Sequence, residues 1–166
     1  MKKILFCGAV LIYCLLVSIS GKAQATEAPA EVQKTFNEHF KNAQIARWIP
    51  IQDSYVATFT QGHDYRDAYF TTDGEFKGVG RYITIDMLPV TVQEKIKNAY
   101  AKYDMSELYQ FDCVESGICF FAVLKDDKKE LILKLDTTGD VSYSKKNKIK
   151  SATKVSEPLV AASNKH

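Results

Sequence analysis

Apolar residues recur every three or four positions in two segments of the chain, and this spacing predicts two amphipathic helices. In residues 29–43 the apolar positions are Val32, Phe36, Phe40 and Ala43. In residues 89–103 they are Val92, Ile96, Ala99, Tyr100 and Tyr103. Each segment begins with a proline, which suits the first turn of a helix, and the pattern Pro-x-x-Val-Gln occurs in both at an offset of 60 residues.

Each predicted helix is followed by segments that alternate with period two, which is typical of antiparallel strands. The first half has strands in residues 54–60 and 66–71, the turn Thr72-Asp73-Gly74, and a strand that begins at Phe76. In the second half, the matching positions at an offset of 65 residues are Phe120, Ala122, Leu124, Leu133, Leu135, Gly139 and Val141. We therefore predict an α+β fold made of two tandem helix-plus-meander repeats, at about residues 29–86 and 87–146.

The amino terminus predicts export across a membrane. Lys2 and Lys3 precede an apolar run over residues 4–19, and Ala23-Gln24-Ala25 offers small residues for signal peptidase. We expect cleavage between Ala25 and Thr26. An uncleaved anchor is the alternative, but the run is shorter than the roughly 20 residues that span a bilayer. A lipoprotein is disfavoured because no small residue precedes Cys7 or Cys14.

Without residues 1–25 the chain is nearly neutral, and its charge is unevenly distributed. Residues 26–144 carry 13 basic and 19 acidic side chains, whereas residues 145–166 carry six lysines and one glutamate. This balance lacks the basic stripe of a nucleic-acid-binding protein. We expect a single domain over residues 26–146, located in the periplasm or secreted, followed by a disordered basic tail over residues 147–166.

Two cysteines lie beyond the predicted signal peptide, in the segment Cys113-Val-Glu-Ser-Gly-Ile-Cys119. A hairpin with the loop Glu115-Ser116-Gly117 would place Cys113 opposite Cys119. Because disulfides persist outside the cytoplasm, this geometry predicts a structural bridge. A redox-active pair is the alternative, but the spacing is not Cys-x-x-Cys and no activating His or Lys adjoins either thiol.

The pattern Phe36…Trp48…Tyr55-Val-Ala-Thr-Phe59…Ala68-Tyr-Phe70-x-x-Asp73-Gly74…Leu88-Pro89-x-x-Val92 resembles the PepSY-like, β-lactamase-inhibitor-protein-like (BLIP-like) family exported by Bacteroidetes-type bacteria. The resemblance covers roughly residues 30–145. It implies one sheet built from two tandem halves, with the helices packed on one face. By analogy it also implies binding or inhibition of an exported enzyme, such as a peptidase or a β-lactamase-like hydrolase. The matched residues are packing and turn positions, so the resemblance transfers no inhibitory residue.

No catalytic or metal-binding motif emerges from the sequence. The histidines His39, His63 and His166 are scattered without zinc-ligand spacing. Asp126-Asp127-Lys128-Lys129 reads as a charged turn rather than a calcium loop, and the acids Asp64 and Asp67, which could face each other, are of a common surface type. We therefore expect no cofactor, no metal and no enzymatic activity.

Period-two alternation also predicts which residues point away from the helices. On that face we expect the residues Tyr69, Phe121, Val123, Ile132 and Lys134, of which Phe121, Val123 and Ile132 form an apolar patch where a polar face is usual. We interpret this patch as the site that binds a partner, most simply an exported protein. Cover by Val155, Leu159 and Val160 of the tail is the alternative. Binding of a small ligand or envelope glycan, or a hydrolase with scattered acids, are the other functions considered.

Overall fold

The computed structural model describes residues 27–149. The predicted signal peptide with its Ala25–Thr26 cleavage site, and the tail with its Val155, Leu159 and Val160, lie outside the described residues. The two helices are α1 (Ala30–His39) and α2 (Val90–Ala99), with a short 3-10 turn (Ile85–Met87) before α2. The strands are β1 (Gln44–Ile51), β2 (Ser54–Gln61), β3 (Asp64–Thr71), β4 (Phe76–Tyr82), β5 (Asp104–Cys113), β6 (Gly117–Lys125), β7 (Lys129–Leu135) and β8 (Val141–Lys148).

The eight strands form one antiparallel sheet in which the spatial order follows the order along the chain. Strands β4 and β5 therefore lie side by side in the middle of the sheet, where they join the two halves, from Gly78 paired with Cys113 to Tyr82 paired with Tyr109. The connection between these two strands contains α2. This architecture confirms the α+β prediction of two helix-plus-meander units in one sheet.

The two repeats agree in detail as well as in outline. Gln33 donates a side-chain hydrogen bond to the carbonyl of Ala28 (2.6 Å), and Gln93 makes the same bond to Leu88 (2.9 Å). The β-bulge at Ile45–Arg47 recurs at Met105–Glu107, offset by the same 60 residues. The bulge between Tyr69 and Phe70 recurs between Lys134 and Leu135, offset by 65. The offset grows by five residues because the hairpin of β5 and β6 extends two residues further on each strand than that of β1 and β2, and its turn is one residue longer.

Both helices pack on one face of the sheet, as the resemblance implied. The first repeat buries the residues Val32, Phe36, Ala57, Phe59, Ala68 and Phe70 under α1. The second buries the residues Val92, Ile96, Leu108, Phe120, Ala122, Leu124, Leu133 and Leu135 under α2. Trp48 and its counterpart Leu108 join these two cores at their expected positions. We call this the helix face, and the opposite side the open face.

Some predicted boundaries were wrong. Helix α1 ends at His39 rather than at residue 43, because the backbone leaves the helix at Phe40 and Asn42 takes a left-handed conformation with φ of 64°. Helix α2 likewise ends at Ala99. Strand β8 continues to Lys148, so residues 147 and 148, assigned to the tail, are part of the sheet.

Candidate functional site

The open face carries an aromatic cluster of its own. Its members are Ile51, Val56, Tyr69, Tyr109, Phe111, Cys113, Cys119 and Phe121, all buried, with Ile49 packed against them. The rings of Tyr69 and Phe111 meet edge to face at 5.3 Å between centroids, and those of Tyr82 and Tyr109 at 5.0 Å. Edge-to-face contacts of this kind fix the relative orientation of the rings. The cluster therefore gives the open face a rigid floor at the junction of the two repeats.

Two glycines of β4 make room for this floor. A Cβ at Gly78 would lie within 2.5 Å of the Phe111 ring, and a Cβ at Gly80 within 2.3 Å of the Tyr109 ring. Because the strand presents bare backbone at both positions, the rings from β5 lie across it. The sequence Gly78-Val-Gly80 thus determines where the aromatic side chains of the second repeat meet the first.

Asp67 is the polar centre of the open face. Its Oδ1 accepts a hydrogen bond from the Thr58 hydroxyl (2.8 Å) and its Oδ2 one from the Tyr109 hydroxyl (3.1 Å). The hydroxyl oxygens of Tyr109 and Tyr69 are 3.2 Å apart. Burial raises the pKa of Tyr109 far above its ordinary value, and the neighbouring Tyr69 and Asp67 add to that shift. Tyr109 therefore stays protonated and serves as a donor.

A cleft of 210 Å³ opens beside this network, at the end of the sheet where β2 turns into β3. It is lined by Arg47, Ile49, Val56, Thr58, Tyr65, Arg66, Asp67, Tyr69, Arg81, Tyr82 and Tyr109. Tyr65 and Tyr82 are 70% and 62% exposed, so both rings project at the rim. Arg47 is exposed as well. The cleft thus combines a rigid, hydrogen-bonded floor with a rim of accessible aromatic and cationic side chains.

The residues predicted to bind a partner lie on the expected face but are less accessible than expected. Phe121, Val123 and Ile132 are only 1%, 3% and 1% exposed, and Tyr69 is 5% exposed. Lys134 is half-buried, with its Nζ 5.9 Å from the centroid of the Phe121 ring. The expectation of a solvent-exposed apolar patch was therefore wrong. Tyr69 alone among the five lines the cleft, whose other residues the sequence reasoning missed.

The register of the cysteine hairpin corrects the sequence prediction. Cys113 pairs with Gly117, and Cys119 pairs with Phe111, so the loop is Val114–Ser116 and the two cysteines are diagonal rather than opposite. Diagonal Cα atoms are about 7–8 Å apart, beyond the usual disulfide span of about 4.4–6.8 Å. No disulfide joins the two cysteines in this structure. Burial raises the pKa of the Cys119 thiol to about 11, which suppresses the reactive thiolate.

The scattered acids stabilise turns. Asp126 accepts hydrogen bonds from the backbone amides of Lys128 (2.8 Å) and Lys129 (2.7 Å), which hold its pKa below the ordinary value. Asp136 accepts bonds from Thr138 and from the amide of Asp140, and its pKa is lowered for the same reason. Asp64 and Asp67 do not face each other, since Asp64 pairs with Arg66 (3.3 Å) while Asp67 lies on the open face. A catalytic acid would instead need a raised pKa.

The two histidines of the described residues lie apart from each other and from the cleft. His39 lies against Phe76 (4.7 Å between ring centroids), and its Nδ1 is 2.9 Å from the Thr35 carbonyl oxygen. His63 lies exposed in the turn between β2 and β3, as predicted, and His166 is outside the described residues. Across residues 27–149 there is no group of three acidic, histidine or cysteine side chains placed to hold a metal ion.

Solved structures with the same fold come from Bacteroides species. A DUF2874 family protein from Bacteroides ovatus has a TM-score of 0.68 at 17% identity, over 73% of this chain and 89% of that one. One of the "putative periplasmic proteins" of Bacteroides eggerthii has a TM-score of 0.67 at 18% identity, over 73% and 90%. A BLIP-like protein from Bacteroides fragilis has a TM-score of 0.66 at 15% identity, over 78% and 94%.

These likenesses confirm the BLIP-like fold that the sequence suggested. At identities below one fifth they concern the fold alone. No family model matches the chain, and no curated protein matches it either. Within the described part of the chain, neither helix has the length and apolar character needed to cross a bilayer.

Proposed function

We propose that this protein is an exported, non-catalytic module that binds another exported protein through its open face. The observation that carries the proposal is the pair of exposed tyrosines, Tyr65 and Tyr82, which stand beside Arg47 at the rim of a rigid aromatic floor. Tyrosine and arginine are enriched among the residues that dominate the energy of protein interfaces. Hydrogen bonds and ring contacts already fix the side chains of the floor, so those side chains lose little conformational entropy when a partner binds.

In this proposal, the five residues that the sequence predicted to bind a partner support the contact surface from below rather than touch the partner. Tyr69 holds Tyr109 in place through the contact between their hydroxyls, and Phe121 packs in the same cluster. Val123 and Ile132 pair with each other across β6 and β7, and Lys134 extends along the Phe121 ring. They support the contact surface, whereas the rim of the cleft touches the partner.

The size of the cleft favours a protein partner over a small ligand. Its 210 Å³ is below the roughly 300–1,000 Å³ of typical small-molecule sites. A larger depression of 790 Å³ runs along the outer side of α1, lined by Gln33, Lys34, Asn37, Glu38 and Lys41. That surface is lined mostly by charged and amide side chains, has no aromatic side chain and resembles the solvated side of an amphipathic helix.

Export and the identity of the partner belong to the same proposal. The charged and apolar pattern of residues 1–25 supports a cleaved signal peptide. The narrower form of the proposal is that the partner is an exported enzyme, such as a peptidase or a β-lactamase-like hydrolase, whose activity the bound module inhibits. The BLIP-like name of the Bacteroides fragilis structure supports this form by analogy of fold.

We also propose that Cys113 and Cys119 cross-link in the exported protein. Both thiols lie on the open face within one cluster, and the compartment favours oxidation. Because the pair is diagonal in this register, closure requires a local shift of the hairpin. Counting thiols in natively purified protein under denaturing conditions tests the bridge, since two free thiols would contradict it.

Affinity capture with matched variants tests the binding proposal. The mature protein is used to capture proteins from the exported fraction of its own cells, in parallel with the double variant Tyr65→Ser/Tyr82→Ser. The control is Met87→Ser/Val90→Ser, which removes side chains of comparable exposure (48% and 67%) near the start of α2. We expect one enriched protein whose capture is lost only with the tyrosine variant. Equal capture by all three proteins would contradict the proposed surface.

A further inference from the structure

The ladder between β3 and β4 stops short, although both strands continue. It runs from Phe70 paired with Phe76 to Asp67 paired with Gly80 and ends there. Strand β3 extends back to Asp64 along β2, and β4 extends to Tyr82 along β5. The sheet is therefore divided at this end, with β2 and β3 on one side and β4 and β5 on the other. The cleft lies at this division.

In the second repeat, the corresponding strands stay paired to the end of the sheet. The strands β7 and β8, which correspond to β3 and β4, stay paired for three more positions, through Leu131–Lys146, Glu130–Asn147 and Lys129–Lys148. A hydrogen bond from Asn147 to Glu130 (3.1 Å) fastens this end. The corresponding pairs in the first repeat are Arg66 with Arg81 and Tyr65 with Tyr82. Like charges directly opposite each other destabilise a ladder, so the Arg66–Arg81 pair disfavours closure, although the second repeat stays paired at Lys129–Lys148 despite its own like charges.

The lining of the cleft supports a gap rather than a surface depression. Tyr65, Arg66 and Asp67 are consecutive in β3, and Arg81 and Tyr82 are consecutive in β4, yet all five line one cavity. Successive residues of a strand point to opposite faces. Alternation assigns Arg66 and Arg81 to the helix face and the others to the open face. Because Arg66 and Arg81 line the same cavity as the open-face residues, the cavity extends from the open face into the gap between the diverging strands.

The cationic groups of the cleft are arginines without exception. The chain contains three arginines among its 22 basic residues, Arg47, Arg66 and Arg81, and all three line the cleft. The 16 basic side chains of residues 27–149 are outnumbered by 19 acidic ones, so this is a positive site on an acidic domain. The planar guanidinium group matches a carboxylate in a two-pronged hydrogen bond, which lysine cannot make.

The guanidinium groups of these arginines have N–H donors that carboxylates of residues 27–149 do not use. Within residues 27–149 no carboxylate forms an ion pair with Arg47 or Arg81. Arg66 pairs through Nη2 with Asp64 (3.3 Å), but its Nε is buried without a hydrogen-bond partner. An unsatisfied buried donor is uncommon in folded proteins and calls for an explanation such as a missing acceptor. Both oxygens of Asp67 already accept hydrogen bonds, from Thr58 and Tyr109.

We propose that this cleft receives a carboxylate side chain from an acidic segment of the protein partner. The proposal rests on the protein-binding function above and specifies the chemistry that the open face recognises. The cleft is too small for a drug-sized ligand, and its floor combines the rings of Tyr69 and Tyr109 with the Asp67 carboxylate, whose two oxygens each accept a hydrogen bond. The carboxylate accepts from the guanidinium groups, including the orphan Nε of Arg66, while Tyr65 and Tyr82 flank the residue that bears it.

Titration with a defined probe tests this recognition without the partner. The probe is a capped peptide of four glutamates, added to ¹⁵N-labelled mature protein and followed by amide chemical shifts. Its comparison is the same peptide with four glutamines. We expect saturable shifts confined to the Tyr65–Asp67 and Gly80–Tyr82 amides with the glutamate peptide only. The double variant Arg66→Gln/Arg81→Gln is expected to weaken binding about tenfold or more, since charged hydrogen bonds are the strong ones.

A matched control comes from the second repeat. Lys146 is exposed and occupies the position equivalent to Arg81, so Lys146→Gln removes the same charge and should leave binding unchanged. Equal shifts with both peptides, or equal loss with Lys146→Gln, would overturn the proposal. Shifts at the cleft with inorganic phosphate but not with the glutamate peptide would also overturn it. If the glutamate peptide binds as expected but the Tyr65→Ser/Tyr82→Ser variant still captures the partner, the proposed partner-binding surface is contradicted, whereas carboxylate binding in the cleft is supported.

Discussion

Tyr109 of the second repeat donates a hydrogen bond to Asp67 of the first, with 3.1 Å between the hydroxyl oxygen and Oδ2. The two residues belong to β5 and β3, so the bond crosses the intervening strand β4 above Gly80. Because the Tyr69 hydroxyl also lies 3.2 Å from that of Tyr109, one hydroxyl group of β5 contacts two side chains of β3 across β4. This relationship joins the two repeats on the open face and holds the floor of the cleft.

Removing that hydroxyl should therefore cost stability. We expect Tyr109→Phe to lower the free energy of unfolding by about 1–2 kcal/mol, because the partly buried Asp67 carboxylate and the buried Tyr69 hydroxyl lose their shared partner. Urea denaturation followed by the fluorescence of the single tryptophan, Trp48, measures it. Tyr65→Phe is the control, since Tyr65 is 70% exposed and should change stability by less than about 0.5 kcal/mol. Equal effects of the two substitutions would contradict the network.

The close approach at Gly80 makes a second prediction. Gly80→Ala places a Cβ 2.3 Å from the Tyr109 ring, so we expect it to destabilise the protein by about 1–3 kcal/mol. In a Tyr109→Ala background the same change should cost much less, because the ring that it strikes is gone. A double-mutant cycle by urea denaturation measures this coupling. Additive effects would show that the ring does not lie on Gly80.

The repeat predicts that two distant glycines behave alike. Gly74 and Gly139 both have positive φ, of 90° and 86°, and each lies in a turn that approaches a helix: α1 at Glu31 for Gly74, and α2 at Val92 for Gly139. Substitution by alanine should cost about 1–2 kcal/mol at each site, because an L-residue is strained in this conformation. Thermal or urea unfolding of the two single variants measures it. A large cost at only one of them would argue against equivalent turns.

The burial of Cys119 predicts an unusual pH dependence in the reduced, folded protein. Its thiol pKa is raised to about 11 by burial, so the thiolate fraction should rise about tenfold per pH unit until pH 11. The alkylation rate at Cys119, read by mass spectrometry after brief iodoacetamide pulses, should follow that line. In urea the rate should level off near pH 9, at the ordinary pKa of a thiol. A folded-state rate that levels off near pH 9 would contradict the burial.

Much of the fold was readable from the sequence because each core side chain follows one of two periods. The spacing of Val32 and Phe36, and the alternation of Ala57 with Phe59, placed α1 and β2 and assigned the helix face correctly. The predicted hairpin loop was displaced by one residue, and each cross-strand partner therefore by two, because Gly117, with φ of 72°, pairs with Cys113 instead of lying in the loop. Pattern alone does not determine which residue of such a turn begins the ladder.

The candidate site was harder to predict, for physical reasons. An uncovered sheet face is normally polar, and alternation gives no measure of how strands curve or how rings such as Phe121 bury one another. The cleft depends on where the ladder of β3 and β4 ends, which is a property of cross-strand pairs. Two signals were available in the sequence: the Gly78-Val-Gly80 strand, which indicates a close approach, and the confinement of every arginine to residues 47–81.

Above all, we propose that a protein partner binds at the open face. Site-specific photo-crosslinking tests it directly, with benzoylphenylalanine at Tyr82, which is 62% exposed at the rim, and at Lys97, which is exposed on α2. The variants are irradiated in the intact cell envelope. We predict a discrete protein adduct from position 82 and none from position 97. Adducts from position 97 alone, or none from position 82, would contradict the claim.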